Sequence, residues 1–217
     1  MSDYSERSLV LLKPDAVLRL QVGVEILKEI SAMEGIQILA FRETTVSPEL
    51  AMAHYKEHEG KSFFPWLLNM ITAPIGVCVL ILEGKKGMVK QVRELIGPTY
   101  IRKAIEEAPN SLRARFGIIK GINVAHASDA PRTGNRETDL WIKHLGLKLD
   151  AREGKAAMDA YISKHDGTHP DRTNQVRQLT FEIQEHVEQL KEVLSAETSR
   201  TKEEIVALVD IILSAIS

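Results

Sequence analysis

The chain has 217 residues, with 28 Lys and Arg against 30 Asp and Glu for a formal net charge of -2, and that near balance argues against broad electrostatic attachment to nucleic acid or an anionic membrane while leaving room for a local basic pocket. The length suffices for one core-forming domain plus an appendage, or for two small domains. A single cysteine, Cys78 within the apolar run IGVCVLIL, excludes an internal disulfide and fits a reducing compartment.

The N-terminal stretch MSDYSERSLVLLKPD holds an apolar run too short for a signal-peptide core or a bilayer span, so the protein is expected to stay in the cytoplasm. Residues 8–12 read as a buried strand ending at Lys13. Residues 22–33 carry Val22, Ile26, Leu27 and Ile30 at helical spacing until Gly35, and a strand starts at Ile36. Ser47-Pro48-Glu49 is a helix start: a capping hydroxyl, a proline where no N–H is needed, and an acid facing the positive end of the dipole. Two short helices are predicted there, 49–57 and 63–71.

Residues 75–82 form a nearly continuous apolar run between Pro74 and Gly84, as in a strand covered on both faces; 88–96 return to helical spacing, and 116–124 read as a fourth strand. Strand-helix-strand twice over predicts an α+β, ferredoxin-like (split βαβ) plan: a four-stranded antiparallel sheet with helices on one face.

This pattern assigns residues 1–145 to one domain and 146–217 to a helical extension. The extension opens with a helix over 151–164, followed by a polar linker near 165–172 containing HDGTHPD, then a helical hairpin over 173–217. Val176, Leu179, Ile183, Val187, Leu190 and Leu194 recur at steps of three and four, and a capping box, Thr201-Lys202-Glu203-Glu204, opens the last helix with Ile205, Leu208, Val209, Ile212 and Ile216. Neither half is apolar all round, which excludes a membrane span. The stripe is expected to pack on its own domain or a neighbouring subunit, with a dedicated partner-binding coiled coil as the alternative.

The chemistry concentrates in NVAHASDA, residues 123–130, which sets His126 on a polar segment straight after an apolar run. An imidazole attacks through one nitrogen only when an acceptor holds the other. Lys13 offers a point charge, Arg93 and Arg113 planar forks and Thr99 a hydroxyl, the types that bind phosphate oxygens. Taken singly, each of these reads as solvated surface, and His126 as a turn residue. Gly60-Lys61-Ser62 has the tail of a phosphate-binding loop but neither its first glycine nor a preceding strand, and His54 and His58, one helical turn apart, lack the HExxH pattern and a third metal ligand. His165 and His169 fall in the linker, where exposure is expected.

LVLLKPDAV (9–17), HYKEHEGKSFF (54–64), Arg93, Thr99, Arg113 and NVAHASDA occur in the order that characterises the nucleoside diphosphate kinase family, which the chain resembles over residues 8–142. The resemblance implies ping-pong transfer of the γ-phosphoryl group from a nucleoside triphosphate such as ATP to a nucleoside diphosphate through phospho-His126. It implies that Glu137, bridged by Ser128, orients the imidazole; that Lys13, Arg93, Thr99 and Arg113 hold the phosphates; and that Tyr55 orders the Lys13 ammonium and the γ-phosphate. Phe63 and Leu67 match the clamp on the base, Asn123 the contact to the sugar hydroxyl, and Asp129 a carboxylate near Mg2+, which is reached through water and held mainly by the nucleotide. Dimers assembled into a homo-tetramer or hexamer follow by the same analogy, with neither membrane nor nucleic acid as partner.

Several positions depart from the family pattern. Leu20 replaces a usual glycine, Lys120 stands where an aliphatic residue near the base is common, and the 97–113 loop is longer. Ala127 replaces the glycine after His126, which is expected to bring a methyl group close to the nucleophile and slow turnover. The competing reading is a weak or inactive kinase-like scaffold whose extension recruits a partner. Retention of His126, Lys13, Tyr55, Arg93, Arg113 and Asn123 together favours the enzyme, because a scaffold has no physical need for all six.

Overall fold

Four apolar segments pair into one antiparallel sheet. These are β1 (Glu6–Leu12), β2 (Ile36–Thr44), β3 (Val77–Gly84) and β4 (Ala125–Ala127), in the order β2-β3-β1-β4. The computed structural model describes residues 6–216, and they divide along the chain into two compact units, one ending at Asp171 and the other beginning at Arg172. Central β1 pairs with both β3 and β4, and the register sets Leu11 opposite His126. That pairing is what brings Lys13, one residue beyond β1, to the strand of His126.

The sheet is the expected one, yet helices cover both of its faces rather than one. Val10, Leu12, Cys78, Leu80 and Leu82 point to a core shared with α1 (Pro14–Leu18), α2 (Leu20–Ser31) and α5 (Met88–Ile96). Leu9, Leu11, Val77, Val79 and Ile81 face Leu50, Ile71 and Trp141 of α3 (Pro48–His54), α4 (Phe64–Ile71) and α8 (Pro131–Leu145). Strands buried on both sides lose the alternation of a half-solvated sheet and read as continuous apolar runs.

The fourth strand is shorter than the 116–124 expected, and it lies later. Residues Leu112–Phe116 form helix α7, whose cap Ser111 accepts the Ala114 N–H at 3.4 Å. Beyond it the chain curls, with Lys120 at φ 43° and Val124 at φ 66°, before pairing at Ala125. Apolar residues in this curl turn inward one at a time, so hydrophobicity alone mimicked a strand. The long 97–113 loop contains a further helix, α6 (Ile101–Glu107).

Helix α9 (Ala151–His165), grouped with the extension by sequence, lies in the first unit against edge strand β2. Asp150 caps it by accepting the N–H groups of Arg152 and Glu153, both at 2.9 Å, and its own N–H donates to Leu39 O at 2.9 Å. Met158 and Tyr161 are buried in the core beside α2, and Phe41 packs on Tyr161 at 5.4 Å. The approach is close at Gly154, where a Cβ would sit 2.4 Å from Ile38 O and 2.8 Å from Ala40 N. Backbone cannot yield as a side chain does, so Gly154→Ala is expected to destabilise by about 1–3 kcal/mol. Thermal unfolding should show a loss of roughly 2–4 °C per kcal/mol, and an unchanged midpoint would mean that α9 does not seat on β2 this tightly.

The second unit is a hairpin of α10 (Thr173–Ala196) and α11 (Lys202–Ile216). The capping box closes reciprocally: Thr201 Oγ1 accepts the Glu204 N–H at 3.3 Å, and Glu204 Oε2 accepts the Thr201 N–H at 3.0 Å. Ile205 and Val209 are buried, whereas Leu179, Ile183, Leu208 and Ile216 of the same apolar stripes are exposed. Among the described residues no helix is long and apolar enough to cross a membrane.

Candidate active site

His126 sits in the middle of β4, and its neighbours in sequence turn the opposite way. Successive strand residues face opposite sides, so the buried methyls of Ala125 and Ala127 enter the core shared with α2 and α5. The Ala127 methyl is therefore not the obstruction at the nucleophile that its place in sequence suggested.

The imidazole is held from α8. Its Nε2 lies 3.0 Å from Glu137 Oε2, which also accepts the Ser128 hydroxyl at 2.7 Å, and Ser128 Oγ in turn accepts the Leu9 N–H at 3.0 Å. Glu137 stands in the second turn of α8, where the helix crosses β1 closely enough for the carboxylate to reach the strand of His126. Gly134 permits that crossing, since a Cβ there would stand 2.0 Å from Arg7 O. Burial alone would raise the Glu137 pKa; the His126 hydrogen bond, the charges of His126 and His54, and the Ser128 hydroxyl outweigh it and bring it to about 2. The group is a carboxylate at any working pH.

Three cations surround this strand. Lys13 is buried and gives its ammonium to Asn123 Oδ1 at 2.7 Å and Gly121 O at 3.1 Å, while Asn123 Nδ2 donates to Thr99 O at 2.9 Å. Buried Arg113 donates to Gly97 O at 2.9 Å, Ala125 O at 2.8 Å and the Thr99 hydroxyl at 3.4 Å, and Arg93 donates to Ala127 O at 3.1 Å. Burial, then the Arg113 charge, lowers the Lys13 pKa to about 8; burial, then the Arg93 charge, lowers that of Arg113 to about 10. Like charges gathered at this cost leave a site that gains by taking an anion.

The turn before β4 is strained. Ala125 N–H donates to Asn123 O at 2.8 Å across Val124, a γ-turn with positive φ that costs a β-branched residue on the order of 1–3 kcal/mol. Lys13 N–H donates to Val124 O at 2.8 Å and Asp15 Oδ2 accepts the Val124 N–H at 3.1 Å, so the KPD segment pins both sides of that peptide. Sequence reading attached no role to Asp15; its signal is only that an acid stands two residues after the lysine.

Phe63 is exposed and Leu67 half-buried, and Trp66 lies against Gly121, giving an apolar surface beside Asn123. Tyr55 is buried beside His54, at 4.7 Å between ring centroids, and burial, then the Glu137 charge, pushes its hydroxyl pKa up. Asp129 is exposed beyond β4, on the approach to α8. Lys61, from the false phosphate loop, contacts His58 at 3.1 Å, while His54 turns away from His58 to His126.

A family model described as nucleoside diphosphate kinase matches residues 6–146. The nucleoside diphosphate kinase of Chloroflexus aurantiacus is 42% identical over 158 residues, covering 72% of this chain and 98% of that protein. That of Rhodococcus jostii is 42% identical over 142 residues, covering 65% and 97%. Among solved structures, the Halobacterium salinarum nucleoside diphosphate kinase in complex with CDP is 31% identical with a TM-score of 0.59, covering 72% of this chain and 97% of its own. The Aquifex aeolicus nucleoside diphosphate kinase is 38% identical with a TM-score of 0.57, covering 63% and 94%.

Proposed function

The chain belongs to the nucleoside diphosphate kinase family, and on that premise we propose that His126 carries the phosphoryl group between nucleotides through Nδ1. The observation that carries this reading is the 3.0 Å contact of Nε2 with Glu137, which leaves Nδ1 as the nitrogen free to attack. In the first half-reaction a bond forms from Nδ1 to the γ-phosphorus, the bond from phosphorus to the bridging oxygen breaks, and the nucleoside diphosphate leaves. In the second, a β-phosphate oxygen of another nucleoside diphosphate attacks phosphorus and the N–P bond breaks. Glu137 steadies the imidazole as positive charge develops, with Ser128 fixing the carboxylate.

Lys13, Arg93, Arg113 and Thr99 are assigned to the phosphate oxygens, Tyr55 to ordering the Lys13 ammonium and γ-phosphate, and Asn123 to the sugar hydroxyl. Phe63 and Leu67 form the face on which the base stacks; stacking is tolerant of base identity, so ATP and other purine and pyrimidine nucleotides should serve. Mg2+ would be held mainly by the nucleotide's phosphate oxygens, and exposed Asp129 offers a hard carboxylate oxygen that would act through water. Bound magnesium supplies charge neutralisation across the phosphates.

Residues 1–145 are assigned to catalysis, for every assigned site residue precedes residue 146, and of the extension 146–217 the hairpin 173–217 is assigned to assembly, since α9 packs within the first unit. A homo-oligomer, tetramer or hexamer, and a cytoplasmic location accord with the single buried thiol Cys78 and the exposed apolar stripes of the hairpin.

Incubation with radiolabelled ATP and magnesium should give an acid-labile, base-stable label on His126 that a diphosphate such as GDP removes; acid-stable label, or none, would defeat the assignment. The depressed Lys13 pKa adds a second expectation. The ammonium is present below about pH 8 and lost above it, so kcat/KM for ATP should decline as pH rises through about 8. Lys13→Arg should abolish that decline, since a guanidinium keeps its charge there; persistence of the same limb in the variant would assign it to another group.

A further inference from the structure

One residue touches the nucleophile without any role assigned so far. His54, the last residue of α3, is 2% exposed, and its ring stands perpendicular to that of His126, with centroids 4.9 Å apart and planes at 85°. Behind it lies Trp141 of α8, fully buried, whose Nε1–H donates to His54 Nδ1 at 3.3 Å. An indole nitrogen only donates, so Nδ1 must accept and the proton of the neutral ring is on Nε2. Burial, then the charge of His126, lowers the His54 pKa to about 3 against the opposing pull of Glu137, with Arg136 and Lys13 lowering it further.

Ligand atoms of His54, His126 and Glu137 lie within 4.8 Å of one another, the spacing of a loose metal site. The tautomer argues against a metal: Nε2 carries the proton and Nδ1 is taken by Trp141, so His54 has no lone pair for an ion. What remains is a rigid neutral ring standing perpendicular to the nucleophile's. The Glu137 hydrogen bond fixes the position of His126 Nε2 but not the plane of its ring, and rotation about that anchor swings Nδ1 out of line.

We propose that His54 is a positioning residue that sets the ring plane of His126, and that Trp141 acts through it by fixing its tautomer. This rests on His126 as the phosphoryl carrier. Misplacing a reacting atom by an ångström costs on the order of 100-fold.

The test is the single-turnover rate of His126 phosphorylation by saturating ATP–magnesium in the full chain, with ADP affinity measured alongside. His54→Ala should slow phosphorylation by about 10–100-fold and leave ADP affinity within a factor of about two. His54→Gln, which returns an amide N–H near the Nε2 position, should recover part of the rate. Trp141→Phe should slow it less than His54→Ala does, and the double variant His54→Ala, Trp141→Phe should be no slower than His54→Ala alone.

A folded His54→Ala with the parental rate overturns the proposal, as does a rate loss matched by an equal loss of ADP affinity, or losses from the two positions that add. Should His54→Ala fail to fold, His54→Gln and Trp141→Phe decide: parental rates in both overturn it. An unlabelled His126 in the parent defeats the carrier assignment itself, whereas a labelled parent with an unaffected His54 series defeats only the role given to His54.

Discussion

Replacing His126 by alanine abolishes both uptake of phosphate from ATP and its delivery to a diphosphate, by roughly 10,000-fold or more, because no other group is placed to accept the phosphoryl. The neighbouring imidazole of His54 cannot substitute, because its Nδ1 is occupied by Trp141 and its Nε2 is protonated. The fold survives, since the His126 ring stands partly open on its strand while Ala125 and Ala127 supply the core contacts. Labelling and coupled turnover, with circular dichroism as the check on folding, decide the matter: residual label on the folded variant would move the phosphoryl carrier elsewhere.

Glu137→Gln lowers the rate by about 10–1000-fold without abolishing it. The amide keeps the size and one acceptor but loses the charge that offsets the cation developing on the imidazole. A pKa held near 2 means that this charge does not titrate in the working range, so the substitution should depress the rate evenly across neutral pH and create no new limb. Stability carries the complementary signature. A carboxylate whose pKa falls on folding contributes stability that is complete above its unfolded value of 4.5 and is lost as pH descends toward about 2. Acid unfolding of Glu137→Gln should therefore be flatter than the parent's in that window. A parental rate together with a parental acid profile would reduce Glu137 to a packing residue.

Much of this was legible in the residues. The two-sided burial of 77–82 and the helix 88–96 follow from apolar spacing, which registers burial directly. The 116–124 segment was misread because a curl and a strand can hide the same residues; what separates them is the positive φ at Lys120 and Val124, which no propensity signals for a lysine or a valine. Lys13, Arg93, Arg113 and His126 can be singled out from sequence because their chemistry is conspicuous in an ordered motif. His54, Asp15 and Trp141 cannot, because their roles depend on which atom meets which: an indole N–H on one imidazole nitrogen, a carboxylate on one peptide. Nothing in residue type distinguishes such a histidine from one that fills a core.

The seating of α9 on β2 has a consequence for how the chain is made. Strand β2 is complete at Thr44, and the helix that covers its outer edge begins at Ala151. At ribosomal rates of about 5–20 residues per second, the edge waits about 5–20 s for its cover. Throughout that interval the Leu39 carbonyl, which in the finished fold accepts the Asp150 N–H, stands open to pairing by another nascent chain. Polysomes translating this message place many such edges close together, and the speed with which residues 151–165 follow sets how many chains reach the native sheet before a neighbour's strand occupies it.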